Sequence, residues 1–336
     1  MIFLSRPEDI PAVVPSGCKV FLVYDRNVSR LEPLLRDTCT GAMALDASEE
    51  GKTMDTVLEI CRWLLSEGAD RESLLIAAGG GITTDLCGFA ASVYKRGIRF
   101  GFIPTTLLAQ VDAAIGGKNG VNLDGYKNMI GVIREPEFTI VCPALLDTLP
   151  LREWRGGAAE LLKTFIIDNT DGRYEEAVEM LSHHSKEPLS HSRACPGNLI
   201  PAAARIKERI VSEDLYEKGL RRHLNLGHTF AHAMERLARL SGKDISHGEA
   251  VAMGIILAAR VSERKGLAES GLEERLRADF KAAGLPVDCP FPPEELAEGM
   301  EKDKKAALDK VNFILIRAIG DVVTVPMSVP DVLDLL

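Results

Sequence analysis

Over the first 150 residues, short apolar runs alternate with longer segments of helical period. Lys19–Tyr24 (KVFLVY) reads as a strand ending at Asp25, and Thr53–Glu67 as a helix capped by Thr53. Leu74–Ala78 is a short apolar run that stops at Gly79-Gly80-Gly81, and Arg99–Ile103 and Phe138–Val141 read as further strands. Strands spaced by helices argue for a parallel sheet with crossovers, so the predicted fold begins with an α/β, Rossmann-like domain over residues 1–150. Beyond Pro150 the texture changes. Arg152–Ile167, Tyr174–Ser182, Ile200–Glu213, His228–Arg239 and Glu249–Lys265 carry helical periodicity, predicting a mainly α-helical second domain over 151–336. A late β-hairpin is expected at VNFILIRAIGDVVTVP, turning at Gly320-Asp321. His183–Pro196 (HHSKEPLSHSRACP) reads as a polar loop whose three histidines are solvated. No internal repeat or low-complexity tract interrupts the chain.

Composition narrows the function classes. At 336 residues and 46% hydrophobic, the chain has material for roughly two domains and is too apolar for disorder. With 40 Lys and Arg against 49 Asp and Glu, the net charge of -9 argues against a whole-surface affinity for nucleic acid or anionic lipid. The longest stretch without a polar side chain, Ala250–Ala259, is half of the roughly 20 residues that a membrane span needs. The start, MIFLSRPEDI, turns charged too early for a signal peptide, which predicts a cytoplasmic protein. Seven scattered cysteines without a CxxC pair predict neither a disulfide framework nor a zinc knuckle, and most are expected to be buried, reduced and inert.

Three regions carry candidate chemistry. Gly79–Gly81 follows a strand and precedes Asp85 and a helical stretch, a setting in which backbone amides can approach a pyrophosphate; a tight turn without ligand is the plainer reading. The run is not the GxGxxG fingerprint. Arg96–Asn128 (RGIRFGFIPTTLLAQVDAAIGGKNGVNLDGYKN) interleaves cations with glycines and hydroxyl residues, an anion cradle unless it is merely a surface loop. Arg221, Asn225, His228, His232 and Glu235 recur at spacings of three and four, which would put them on one helix face. His247 precedes another helix, and Glu160 lies one turn before Lys163. Two histidines and a carboxylate would leave an open coordination position, as in catalytic zinc sites.

At these residues the chain resembles the 3-dehydroquinate synthase family of sugar-phosphate cyclases. The blocks GGGITTDLCGF, RGIRFGFIPTTLLAQVDAAIGGKNGVN, GGAAELLK, LRRHLNLGHTFAHA, SHGEAVAMG and DKK carry the resemblance nearly end to end. It implies an NAD site formed by Asp25, Asn27, Glu49, Lys52, Gly80, Gly81, Asp85, Thr105, Thr106, Lys127 and Thr148. It implies a zinc or cobalt ion held by Glu160, His228 and His247. Substrate contacts would come from Arg96, Asp112, Lys118, Asn128, Lys163, Lys207, Arg221, Asn225 and one of Lys304 and Lys305, with Glu217 and His232 transferring protons. Thr84, Tyr126 and Leu145 depart from the family pattern, as does a lengthened interval between His228 and His247.

The resemblance implies the activity of a carbon–oxygen lyase of the shikimate pathway, a homodimer that acts on a small-molecule sugar phosphate and engages neither nucleic acid nor membrane. It closes 3-deoxy-D-arabino-heptulosonate 7-phosphate to 3-dehydroquinate and releases phosphate. The steps are transient oxidation by NAD, elimination, re-reduction and aldol closure. So many cations in a protein of negative net charge suit a phosphate and a carboxylate. The rival readings are a cyclase acting on sedoheptulose 7-phosphate or glucose 6-phosphate, a metal-dependent polyol dehydrogenase, and an inactive sugar-phosphate sensor.

Overall fold

The computed structural model describes residues 1–124, 126–184, 198–303 and 310–336, with side chains throughout except at 184 and 301–303. The chain divides into two compact units, one of residues 1–149 with 200–204, the other of residues 150–199 with 205–336.

The first unit is built on a six-stranded sheet. Its strands are β1 (Ile2–Phe3), β2 (Val20–Asp25), β3 (Gly41–Leu45), β4 (Leu74–Gly79), β5 (Arg99–Pro104) and β8 (Phe138–Val141), in the order β1-β8-β5-β4-β2-β3. Every pairing is parallel. Strand β4, LLIAAG, is buried along its whole length, because a central parallel strand has apolar neighbours on both faces. Alternation along the strands then separates two cores. Phe21, Val23, Leu75 and Ala77 pack on one face with helices α1 (Met54–Ser66) and α2 (Gly81–Val93). Val20, Leu22, Leu74 and Ile76 pack on the other with Ile10, Leu31 and Leu35. Thr53 caps α1, its hydroxyl accepting from Thr56 N.

Two features of this unit differ from the sequence reading. The alternation missed β1 and β3, which are short or only half-buried. The Arg96–Asn128 region is no irregular loop. Lys118–Leu123 and Tyr126–Ile133 pair as an antiparallel hairpin, β6 and β7, that packs on α2. Preceding the hairpin, Ala109–Ala113 forms a single π-helical turn.

In the second unit, α3 (Leu151–Ile167), α4 (Arg173–His184), α5 (Leu199–Glu213), α6 (His228–Ser241), α7 (His247–Arg264), α8 (Leu272–Ala282) and α9 (Pro293–Asp303) supply the helical mass. A hairpin of β9 (Val311–Ala318) and β10 (Asp321–Met327) packs on α7, with Ile316 N donating to Ser262 Oγ at 2.9 Å. The strand resumes at Asp321, so the turn falls one residue earlier than the pattern suggested, at Gly320 with φ +93°. Helix α4 runs through His184, beyond the start of the expected polar loop; the remainder of that loop, 185–196, lies outside the described residues.

No described helix is long and apolar enough to cross a membrane. Among the described cysteines none forms a disulfide, but only Cys87 and Cys142 are buried. Cys18, Cys39, Cys61 and Cys289 are half-buried, which corrects the expectation that most would be enclosed. Partial burial still pushes the Cys39 thiol up to about 11.

Candidate functional site

In the first unit the strand order reverses between β2 and β4. Such a switch point opens a crevice at the carboxyl ends of the strands. The register aligns those ends: Tyr24 pairs with Ala78, and Gly79 with Pro104. Asp25, Gly80, Gly81, Thr105 and Thr106 therefore follow the ends of three adjacent strands. Gly80 is the residue before the first turn of α2, where backbone N–H groups and the helix dipole favour an anion. Asp25 Oδ1 accepts from Asn27 N at 2.9 Å and from its side chain at 3.0 Å, while Thr105 N donates to Gly79 O at 2.9 Å. Thr84, a departure from the family pattern, is buried inside α2 and donates to Gly81 O, and Leu145 lies in the apolar core.

Lys52 is the unit's one buried cation among the described residues. Its ammonium donates to Asp85 Oδ2 at 2.5 Å and to Asn128 Oδ1 at 2.6 Å. Asn128 has φ +54°, and its N–H is held by Asn122 Oδ1 at 2.9 Å. Asn122 also donates to Glu49 Oε1 at 2.8 Å. Sequence reasoning did not single out Asn122, which ties Glu49 to Asn128. Lys118, Lys127 and Thr148 are exposed, as is Arg96, which stands with Lys95 and Gly97 in a run of left-handed backbone. Asp112 sits in the π-turn. Lys304 and Lys305 lie outside the described residues.

The second unit gathers Glu160 from α3, His228 from the first turn of α6 and His247 from the first turn of α7. One ligand atom from each lies within 4.8 Å of the others. Two backbone approaches, neither legible in the sequence, bring the three helices together. A Cβ on Gly248 would run into the carbonyl of Gly156, so α3 and α7 touch at glycines one turn from Glu160 and next to His247. Gly227 takes φ +77° and lies against Gly254 and Ile255, fixing the start of α6 on α7. Ser246 and Glu249 form a capping box that starts α7 at His247.

The donor atoms fit a divalent ion. His247 Nε2 and His228 Nε2 lie 3.4 and 3.6 Å from Glu160 Oε1. Ligands of a tetrahedral ion at about 2.0–2.1 Å stand about 3.3 Å apart. The carboxylate is fully buried, and neither oxygen accepts a hydrogen bond of regular geometry, although Lys163 Nζ packs against Oε2. His228 Nδ1 lies 3.1 Å from Leu226 O, which leaves Nε2 as the lone-pair nitrogen. Burial, and then Lys163, push the His228 imidazolium down to about 3, again favouring the neutral ring. Burial alone would raise the Glu160 carboxyl and lower His247. Lys163, His247 and His228 together outweigh it for Glu160, which stays well below the usual range, and Glu160 with Glu235 raise His247 to about 10.

The expected single helical face does not exist. Leu220–Asn225 is a separate 3-10 turn and α6 begins only at His228, because left-handed Gly227 breaks the helical path between them. Arg221 and Asn225 are instead organised by the preceding loop. Asp214 accepts from the backbone of Lys218, Gly219 and Arg221, and Arg221 Nη1 donates to Leu215 O at 2.6 Å. Asn225 Nδ2 donates to Glu217, itself at φ +57°. His232 is exposed one turn along from His228, with ring centroids 5.7 Å apart. The buried charged side chains of this unit, among the described residues, are Glu160, Lys163, Lys207 and Arg221: three cations to one anion.

Comparison with known proteins gives this arrangement a family. Residues 42–156 match the model of the 3-dehydroquinate synthase N-terminal domain and residues 157–306 that of the C-terminal domain. The 3-dehydroquinate synthase of Leptospira interrogans is 37% identical over 336 residues, spanning 98% of this chain and 91% of that protein. That of Pyrococcus abyssi is 44% identical over 272 residues, 81% of this chain and 77% of that one. Among solved structures, 2-epi-5-epi-valiolone synthase from Streptomyces hygroscopicus, with NAD+ and Zn2+ bound, has a TM-score of 0.85 at 27% identity and covers 99% of this chain and 94% of its own. A probable glycerol dehydrogenase from Sinorhizobium meliloti, at 18% identity and a TM-score of 0.65, shares the fold. The chain belongs to the 3-dehydroquinate synthase family.

Proposed function

We propose that this chain is an NAD- and divalent-metal-dependent lyase that closes 3-deoxy-D-arabino-heptulosonate 7-phosphate to 3-dehydroquinate with release of phosphate. The observation that carries the reading is the buried charge of the second unit. Lys163, Lys207 and Arg221 are buried in the unit that holds a carboxylate and two imidazoles spaced for one cation, and Lys163 lies against that carboxylate. Three buried cations to one buried anion give this unit a local positive field in a protein of negative net charge, which favours a polyanion. A substrate with both a phosphate and a carboxylate meets that requirement, and the relatives at 37–44% identity carry this activity in their names.

When bound, NAD supplies a hydride acceptor that returns what it takes, and zinc or cobalt supplies a Lewis acid that acidifies and orients a substrate hydroxyl. Glu160, His228 and His247 would hold the ion. Asp25, Asn27, Glu49, Lys52, Gly80, Gly81, Asp85, Thr105, Thr106, Lys127 and Thr148 would hold the dinucleotide. The pyrophosphate would lie at the amino end of α2, where the N–H groups after Gly80 face it. Lys163, Lys207, Arg221 and Asn225, with Arg96, Asp112, Lys118 and Asn128, would bind and orient the sugar phosphate. C–O cleavage would leave a third negative charge on the phosphate, which departs as the hydrogen-phosphate dianion by taking up the proton lost from the adjacent carbon, and a lysine ammonium beside its oxygens would stabilise that developing charge. Glu217 would accept and return a proton at its carboxylate, whose Oε1 is held by Asn225 Nδ2. His232 would do so at its imidazole. The reading includes a cytoplasmic homodimer, as the family resemblance implies.

Phosphate release from purified protein with catalytic NAD tests this. The heptulosonate phosphate should yield phosphate and a carbocycle without net NADH. Turnover of sedoheptulose 7-phosphate alone would move the chain to the valiolone-type cyclases, and stoichiometric NADH from glycerol would make it a polyol dehydrogenase.

A further inference from the structure

The His247 ring is bracketed by two carboxylates. Glu160 Oε1 lies 3.4 Å from Nε2 and Glu235 Oε1 lies 3.5 Å from Nδ1. The two ring nitrogens point in divergent directions, so an ion at Nε2 lies across the ring from Glu235, which is not among the clustered ligand atoms. We propose that Glu235 is a positioning residue for the metal centre, fixing the rotation and tautomer of His247 so that Nε2 faces the ion. The proposal rests on the metal-site reading above.

The two imidazoles are held differently. His228 is oriented by a backbone carbonyl, Leu226 O, within the turn at Gly227. His247 depends on a side chain. Glu235 lies two turns beyond His228 on α6, so this helix supplies one ligand and orients the other, which belongs to α7. The Glu235 side chain is only 11% exposed, where water screens it little. A carboxylate on the outer nitrogen of a ligating histidine stabilises the N–H there and raises the basicity of the inner nitrogen. Losing such a partner typically weakens metal binding about 10–100-fold.

The test uses the full chain, stripped with a chelator and titrated with Zn2+ or Co2+ against a chromophoric competitor. Wild type should take up one ion per chain; failure to do so would overturn the metal-site reading itself. Given that uptake, Glu235→Ala should bind Zn2+ about 10–100-fold more weakly and shift the visible Co2+ absorption. Glu235→Gln, which keeps an acceptor and loses the charge, should fall between the two. Wild-type affinity and an unchanged Co2+ spectrum in Glu235→Ala would overturn the proposal. If that variant does not fold, the same result in Glu235→Gln overturns it.

Discussion

Gly156 and Gly248 touch, yet alanine should have opposite effects at the two positions. A Cβ on Gly248 would stand 2.7 Å from the carbonyl carbon of Gly156 and nearer still to its oxygen, against an ordinary contact of about 3.5 Å or more. The obstacle is backbone, so no rotamer relieves it and α3 must move away from α7 by roughly 1 Å. Overpacking of this kind costs about 1–3 kcal/mol, a fall in Tm of about 2–12 °C for a unit of this size. The same displacement would take Glu160 Oε1 and His247 Nε2 from 3.4 Å to about 4.4 Å, too far for ligands of one tetrahedral ion. Zn2+ affinity should therefore drop at least tenfold. A Cβ on Gly156 meets nothing within 4 Å, and alanine there gains up to about 1 kcal/mol of helix propensity. Thermal melts and chelator-competition titrations of Gly156→Ala and Gly248→Ala make the comparison. Equal Tm and equal Zn2+ affinity in Gly248→Ala and wild type would refute the reasoning.

Other consequences are as direct. Lys163→Ala and Arg221→Ala should each lower phosphate-release turnover at least tenfold in protein that remains folded by circular dichroism; a fully active variant would remove that residue from the site. Lys52→Ala breaks the links to Asp85 and Asn128, and should raise the KM for NAD at least tenfold; an unchanged KM would leave Lys52 a structural residue. Gly227→Ala combines a left-handed φ of +77° with a Cβ 2.8 Å from Ile255, and should cost about 2–4 kcal/mol in denaturant unfolding. Wild-type stability there would show that α6 does not need this glycine.

The local chemistry of the chain was readable where a single element carries it. The buried runs at Val20–Val23 and Leu74–Ala78 announce central parallel strands because every residue is apolar, and Thr53 announces its helix because its hydroxyl caps it. Periodicity failed where backbone geometry intervenes. The spacing from Arg221 to Glu235 is helical on paper, but Gly227 adopts a conformation that divides the segment, and a glycine letter does not disclose its φ. The hairpin over 118–133 was hidden because its second strand is largely exposed and alternates weakly. Neither the Gly156–Gly248 contact nor the grip of Asn122 on Glu49 and Asn128 could be read from spacing, since each joins residues far apart in the chain. The family resemblance supplied the ligand set of Glu160, His228 and His247. The residues alone suggest two histidines and a carboxylate around an open coordination position, but spacing cannot bring Glu160 beside residues so far along the chain.

The account depends most on a single divalent ion held by those three side chains and required for turnover. Chelator-stripped protein, supplied with NAD and the heptulosonate phosphate, should release no phosphate. Titrated with Zn2+ or Co2+, it should regain activity linearly to one equivalent per chain and then level off. Full phosphate release by protein shown to be metal-free would contradict the account.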